Sequence, residues 1–155
     1  MKTWRGIIAG LVVFSLPVAQ LPAQEKTGIT EISVEREDGA KDGPRDVVTF
    51  RSDKSAQYVG KSNVERLGEF TGRLPEHYFH APFESLTEVY EGLRKDGVST
   101  GKPNSNVTVI TIRVVRDGKQ EEIRDLCPGL DRRLFAFEMA VRGVAADITW
   151  KQKPK

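Results

Sequence analysis

Val107 to Leu126 read VTVITIRVVRDGKQEEIRDL, and this stretch decides the fold. Val107–Val115 is dense in β-branched residues, which suit the pleated, half-buried surface of a strand. Asp117-Gly118 supplies two residues that tolerate positive φ in a two-residue hairpin turn. With those two as the loop, Arg116 opposes Lys119. Counting outward, Arg113 faces Glu122 and Ile112 faces Ile123. This register sets an ion pair on one face and an apolar pair on the other, and a slip of one residue loses both.

Upstream, further strands are expected. Ile29–Glu35 (ITEISVE) alternates apolar and polar residues, with Ile32 and Val34 on one side. Glu37–Arg45 holds two glycines and a proline and reads as a loop. Asp46–Arg51 (DVVTFR) predicts a second strand, Ser52–Ser55 a tight turn and Ala56–Gly60 a third strand. Val64–Arg73 predicts a fourth, with Gly68 and Gly72 at bends or bulges.

Two helices flank the hairpin. Pro75–Phe79 suits a short helical turn that Pro82 interrupts. From Phe83 to Leu93, the residues Phe83, Leu86, Val89, Tyr90 and Leu93 recur at three- and four-residue steps, one face of an amphipathic helix. Asp96-Gly97 closes it, and Ser99–Asn106 is loop. Downstream, Leu130, Leu134, Phe137, Val141 and Val144 mark a helix from Asp131. Asp131 is the expected N-cap, and Leu130 against Phe135 forms a hydrophobic staple. Gly143 is the expected stop, while Val144–Trp150 suits either continued helix or a short strand. About six strands with mostly hairpin links and two helices predict an α+β fold. The sheet is mostly antiparallel, with both helices packed on one face.

The amino terminus carries an address. Lys2 and Arg5 precede the uncharged apolar run Gly6–Leu16; Pro17 breaks it, and small residues follow at Ala19 and Ala23. This is the layout of a secretory signal peptide, cut after Ala19 or Ala23, with Leu21 favouring Ala23 and a mature start at Gln24. The run falls well short of the ~20 apolar residues of a bilayer span. The expected organisation is therefore a signal peptide over residues 1–23 and a single exported domain over 24–155. No membrane span remains after cleavage, and the domain is periplasmic or extracellular. Cys127 is the only cysteine, so that domain has no internal disulfide.

The full chain carries 24 Lys+Arg against 22 Asp+Glu. Lys2 and Arg5 leave with the signal, so the mature charge is balanced. A balanced, interspersed pattern removes the bulk electrostatic case for nucleic-acid binding. Lys151, Lys153 and Lys155 form the one local excess and suit a solubilising tail.

Four groups are candidates for chemistry. His77-x-x-His80 with Glu84 four residues on has metal-ligand spacing, but Pro82 intervenes and Tyr78 stands where zincin chemistry places glutamate. Cys127, ahead of Pro128-Gly129 and a helix start with Arg132 and Arg133, is a reactive-thiol candidate; the alternative is a small buried apolar plug. Asp125 and Asp131, with Arg132 and Arg133, read as a helix cap and its charge partners rather than an acid–base pair. Gly60, Gly68 and Gly72 lack the lysine and the strand-to-helix junction of a phosphate loop. Asn106-Val107-Thr108 matches a glycosylation acceptor.

Tyr58-Val-Gly60, then Val64, then Gly68-Glu-Phe70-Thr-Gly72-Arg-Leu74 ahead of a helix resembles a family of small exported bacterial domains of unknown function. The resemblance implies a sheet with a helix, a second hairpin and a closing helix, spanning about Ile29–Trp150. It implies an exported compartment and supplies no catalytic residues. Members often carry a cysteine pair in the loop before the second strand; GAKDGPR has none. The expected function is a non-enzymatic binding or interaction module that needs no cofactor or metal and whose partner is a protein or envelope component. The alternative is a small secreted hydrolase or thiol-dependent enzyme using Cys127 or His77 and His80. A third possibility is an envelope-associated protein that assembles through an exposed sheet edge.

Overall fold

The computed structural model describes residues 28–40, 42–75, 82–98, 101 and 107–154. The expected signal peptide, His77, His80 and the short turn after Pro75 lie outside the described residues. The chain runs β1 (Ile29–Glu37), β2 (Arg45–Arg51), β3 (Ser55–Ser62), β4 (Gly68–Arg73), α1 (Pro82–Asp96), β5 (Val109–Arg116), β6 (Lys119–Asp125), α2 (Arg132–Ala146) and β7 (Lys151–Gln152). This is an α+β fold with a seven-stranded antiparallel sheet ordered β6-β5-β1-β2-β3-β4-β7.

The β5–β6 hairpin has the register that the sequence dictates. Arg116 pairs with Lys119, Arg113 with Glu122 and Ile112 with Ile123. Arg113 Nε donates to Glu122 Oε2 at 3.0 Å, and Asp117 and Gly118 both have positive φ. The strand β1 lies between β5 and β2. Ile32 opposes Phe50 and Val114, and Val34 opposes Val48 and Ile112. These side chains share one hydrophobic core with Leu86, Tyr90 and Leu93 of α1 and Leu134, Phe137 and Val141 of α2. The Tyr90 and Phe137 rings meet at 6.4 Å between centroids. The alternate strand positions carry polar pairs instead: Thr49 Oγ1 donates to Ser33 Oγ, and Glu31 pairs with Arg51 and Glu35 with Arg113.

Several expectations need correction. Pro82 does not interrupt a helix; it is the first residue of α1, where its missing N–H costs nothing. Val89 is exposed and stands off the buried stripe. The fourth strand starts at Gly68, not Val64. Gly143 does not stop α2, which runs to Ala146 with Asp147 as C-cap. A seventh strand follows: Lys151 and Gln152 pair with Thr71 and Phe70, and the Lys153 N–H donates to the Glu69 carbonyl at 2.9 Å. Lys151 and Lys153 of the basic tail are therefore hydrogen-bonded onto the sheet. Leu130 and Phe135 each leave about half of their surface in solvent, so the expected staple does not bury them.

Asp131 is the N-cap of α2, its Oδ1 accepting from the Arg133 N–H at 2.9 Å and more weakly from Leu134. Replacing it with alanine strips a partner from otherwise orphaned amides. Asp131→Ala is expected to lower stability by about 1 kcal/mol in urea unfolding; an unchanged midpoint would deny it a capping role.

Candidate functional site: an arginine-lined cleft

Two strand positions break the apolar face that the core demands. Along β1, Arg36 follows Ile32 and Val34 on the same side; along β2, Asp46 precedes Val48 and Phe50. The two oppose each other across the ladder. Arg36 grips Asp46 as a fork, Nε to Oδ1 at 3.1 Å and Nη2 to Oδ2 at 2.9 Å. A bidentate, charge-assisted pair of this kind is directional as well as strong. The Tyr58 hydroxyl on β3 donates to Asp46 Oδ2 at 3.3 Å. Burial, then the Asp46 charge, pushes the Tyr58 phenol up from its usual range.

Arg142 on α2 completes the cluster. Its Nη1 stands 3.8 Å from Asp46 Oδ2, too far for a hydrogen bond. Burial, and next the neighbouring Arg36 charge, hold the Arg142 guanidinium below the usual arginine range. One carboxylate thus faces two arginines.

These groups form the floor of an open cleft of about 490 Å³. Its polar lining includes Arg36, Asp46, Glu65, Arg66 and Arg142; Val48, Tyr58, Val64, Ala145 and Trp150 form its apolar wall. The Tyr58 and Trp150 rings meet at 5.8 Å, and the Trp150 indole N–H donates to the Ala145 carbonyl at 2.9 Å. The cleft is open and about equally polar and apolar, and its volume lies in the range of small-molecule sites. A second hollow of about 600 Å³, beside Gly72 and Thr149, has only exposed charged residues, Arg73, Asp147 and Lys151.

Two of the glycines in the strand motif build this cleft. A β-carbon on Gly60 would lie 1.7 Å from the Arg66 carbonyl oxygen. Only glycine lets residues 64–66 fold back over β3 to make the rim. A β-carbon on Gly72 would lie 2.4 Å from Ile148 Cγ2 and 3.3 Å from Trp150 Cε3. Only glycine lets the segment carrying Trp150 cross β4.

Behind the cleft sits a buried acidic pair. Glu138, one turn before Arg142 on α2, is 4% exposed, and Asp125, at the end of β6, is 1% exposed. The Cys127 N–H donates to Asp125 Oδ1 at 2.9 Å. Asp125 Oδ2 and Glu138 Oε1 are buried without a hydrogen-bond partner. Burial and then the Asp125 charge push the Glu138 carboxyl up to about 7, with Arg142 pulling the other way. Burial also raises Asp125. Asp125 is therefore not a charge partner of the α2 cap, as its place in sequence suggests, but a member of a buried pair.

The other sequence candidates among the described residues do not join the cleft. Cys127 is exposed, which overturns the buried-plug alternative. The Arg133 guanidinium is taken up by Asp96, Asp131 and the Gly97 carbonyl. Glu84 is exposed in the first turn of α1. Among the described residues there is no group of three or more potential metal ligands and no helix long and apolar enough to cross a membrane.

Sequence reasoning reached Tyr58, Gly60 and Gly72 but missed Arg36, Asp46, Glu138, Arg142 and Trp150. The available signal was a charge on the apolar side of a strand: Arg36 continues the Ile32–Val34 series and Asp46 leads into Val48–Phe50. A search of known protein families and of curated proteins finds none that matches this chain.

Proposed function

We propose that the protein is an exported, non-enzymatic domain, periplasmic or cell-surface, that binds a small molecule or a group on an envelope component through the arginine-lined cleft. In this reading both helices cover one face of the sheet and the face bearing the Glu31–Arg51 and Glu35–Arg113 pairs is open to solvent. The cleft lies where the helical layer ends. The observation that carries the reading is the joining of an aromatic wall to two arginines that share one carboxylate. Asp46 has both oxygens engaged, and arginine holds its proton at neutral pH. Such a lining suits recognition better than proton transfer.

Two measurements test this. Amino-terminal sequencing of protein secreted by a bacterial host is expected to begin at Gln24; an intact Met1 on cytosolic protein would remove export. A panel of polar metabolites screened by thermal shift and amide spectra is expected to yield ligands that raise the melting temperature and perturb Tyr58 and Trp150. Hits that all map elsewhere, or that the protein converts to product, would remove the binding reading. Thiol labelling does not separate this from the cysteine-enzyme alternative, since Cys127 is exposed. Cys127→Ser does: binding survives it here and turnover would not survive it there.

A further inference from the structure

Resting on that reading, we infer that the cleft takes an oxyanion, a carboxylate or phosphate group, attached to a flat apolar body. The charge count of the lining comes first. Arg36, Arg66 and Arg142 face Asp46 and Glu65, an excess of one positive charge. Glu65 stands on the exposed rim, 3.9 Å from Arg66. On the floor, Asp46 is shared by Arg36 and Arg142, and the buried Glu138 behind it is the other carboxyl that acts on Arg142.

The donors come second. The fork on Asp46 uses Nε and Nη2 of Arg36 and leaves its Nη1 without a hydrogen bond among the described residues. Among the described residues the Arg142 guanidinium makes no hydrogen bond, and its closest ionic partner is Asp46 at 3.8 Å. Its side chain keeps about a quarter of its surface, 28%, open. Two guanidiniums with spare donors beside one another form a receptor for a planar or tetrahedral oxyanion. An anion between them offsets the repulsion that Arg36 exerts on Arg142. A cation brings no such gain and would sit against an excess of its own sign.

The wall comes third. Trp150 and Tyr58, with Val48, Val64 and Ala145, give an apolar surface next to those donors. A ligand that satisfies both walls carries its charge at one end and a ring or branched chain at the other. A bare inorganic anion uses half of the site.

The test titrates the full chain with benzoate, phenyl phosphate and benzyl alcohol and follows the arginine Nε–H and Trp150 indole N–H resonances. Benzoate and phenyl phosphate are expected to shift the Arg36, Arg142 and Trp150 signals together and saturably, and the better of the two identifies the headgroup. Benzyl alcohol is expected to bind at least tenfold more weakly. Raising the salt weakens anion binding and leaves the alcohol unaffected. Arg142→Gln is expected to weaken the anions about tenfold to a hundredfold, the range for a hydrogen bond to a charged group. Arg66→Ala, on the exposed rim, keeps the fold and is expected to give a smaller loss with a reduced salt response. Equal affinity for benzyl alcohol would overturn the anion inference while leaving a binding cleft. Failure of all three to shift these signals would overturn both.

Discussion

Glu138→Gln is expected to stabilise the protein by about 3 kcal/mol at pH 8 and to do almost nothing at pH 4. In the unfolded chain a glutamate loses its proton near the ordinary 4.5; in the fold, burial beside Asp125 holds that proton to about 7. Between those values the folded state binds more protons than the unfolded one. Stability therefore falls as pH rises through this window and levels off above it. The shift corresponds to roughly 3 kcal/mol. Asp125 is raised by burial as well and acts in the same direction. Glutamine stands in for the protonated acid, so it removes the loss without emptying the space. Urea unfolding of both proteins from pH 4 to 8 checks this. Parallel curves across the window would show that Glu138 is ionised in the fold.

Gly60→Ala is expected to cost about 2–3 kcal/mol and to open the cleft rim. The added methyl meets the Arg66 carbonyl, a backbone atom that cannot rotate away, and overpacking of this kind typically costs 1–3 kcal/mol. Gly92→Ala is the matched control. Gly92 lies inside α1 and, its chain neighbours and its own helix backbone apart, has nothing within 4 Å of the new carbon, so alanine there is expected to stabilise by about 0.5–1 kcal/mol. Equal effects at the two positions in thermal unfolding would mean that residues 64–66 are not packed on β3.

The parts of the fold legible in sequence are those in which neighbours along the chain decide the outcome. The Asp117-Gly118 turn and the flanking alternation sufficed for the β5–β6 register, and a single aspartate sufficed for the start of α2. The errors have a common cause in distant contacts. Residues 64–67 look like strand because Val64 and Leu67 flank charged residues, yet they turn back across Gly60. Gly143 looks like a helix stop, but nothing crowds it and α2 continues until residues 148–150 cross Gly72. Asp125 and Glu138 are unremarkable locally. Only the approach of α2 to the end of β6 buries them together. The candidate site shared this fate: its arginines come from β1 and α2, and no window of sequence holds both.

The joining of residues 151–153 to β4 has a practical consequence for anyone handling the protein. Residues 151–153 are a seam rather than a loose thread. Trimming back to Thr149 would remove the indole as well as the final strand, and a bulky fusion partner placed directly after Lys153 would crowd that seam. Affinity handles and surface anchors belong after Ala23 and ahead of Gly28, where the proposed cleavage spares them and the chain enters β1 from the turn end of the β5–β6 hairpin.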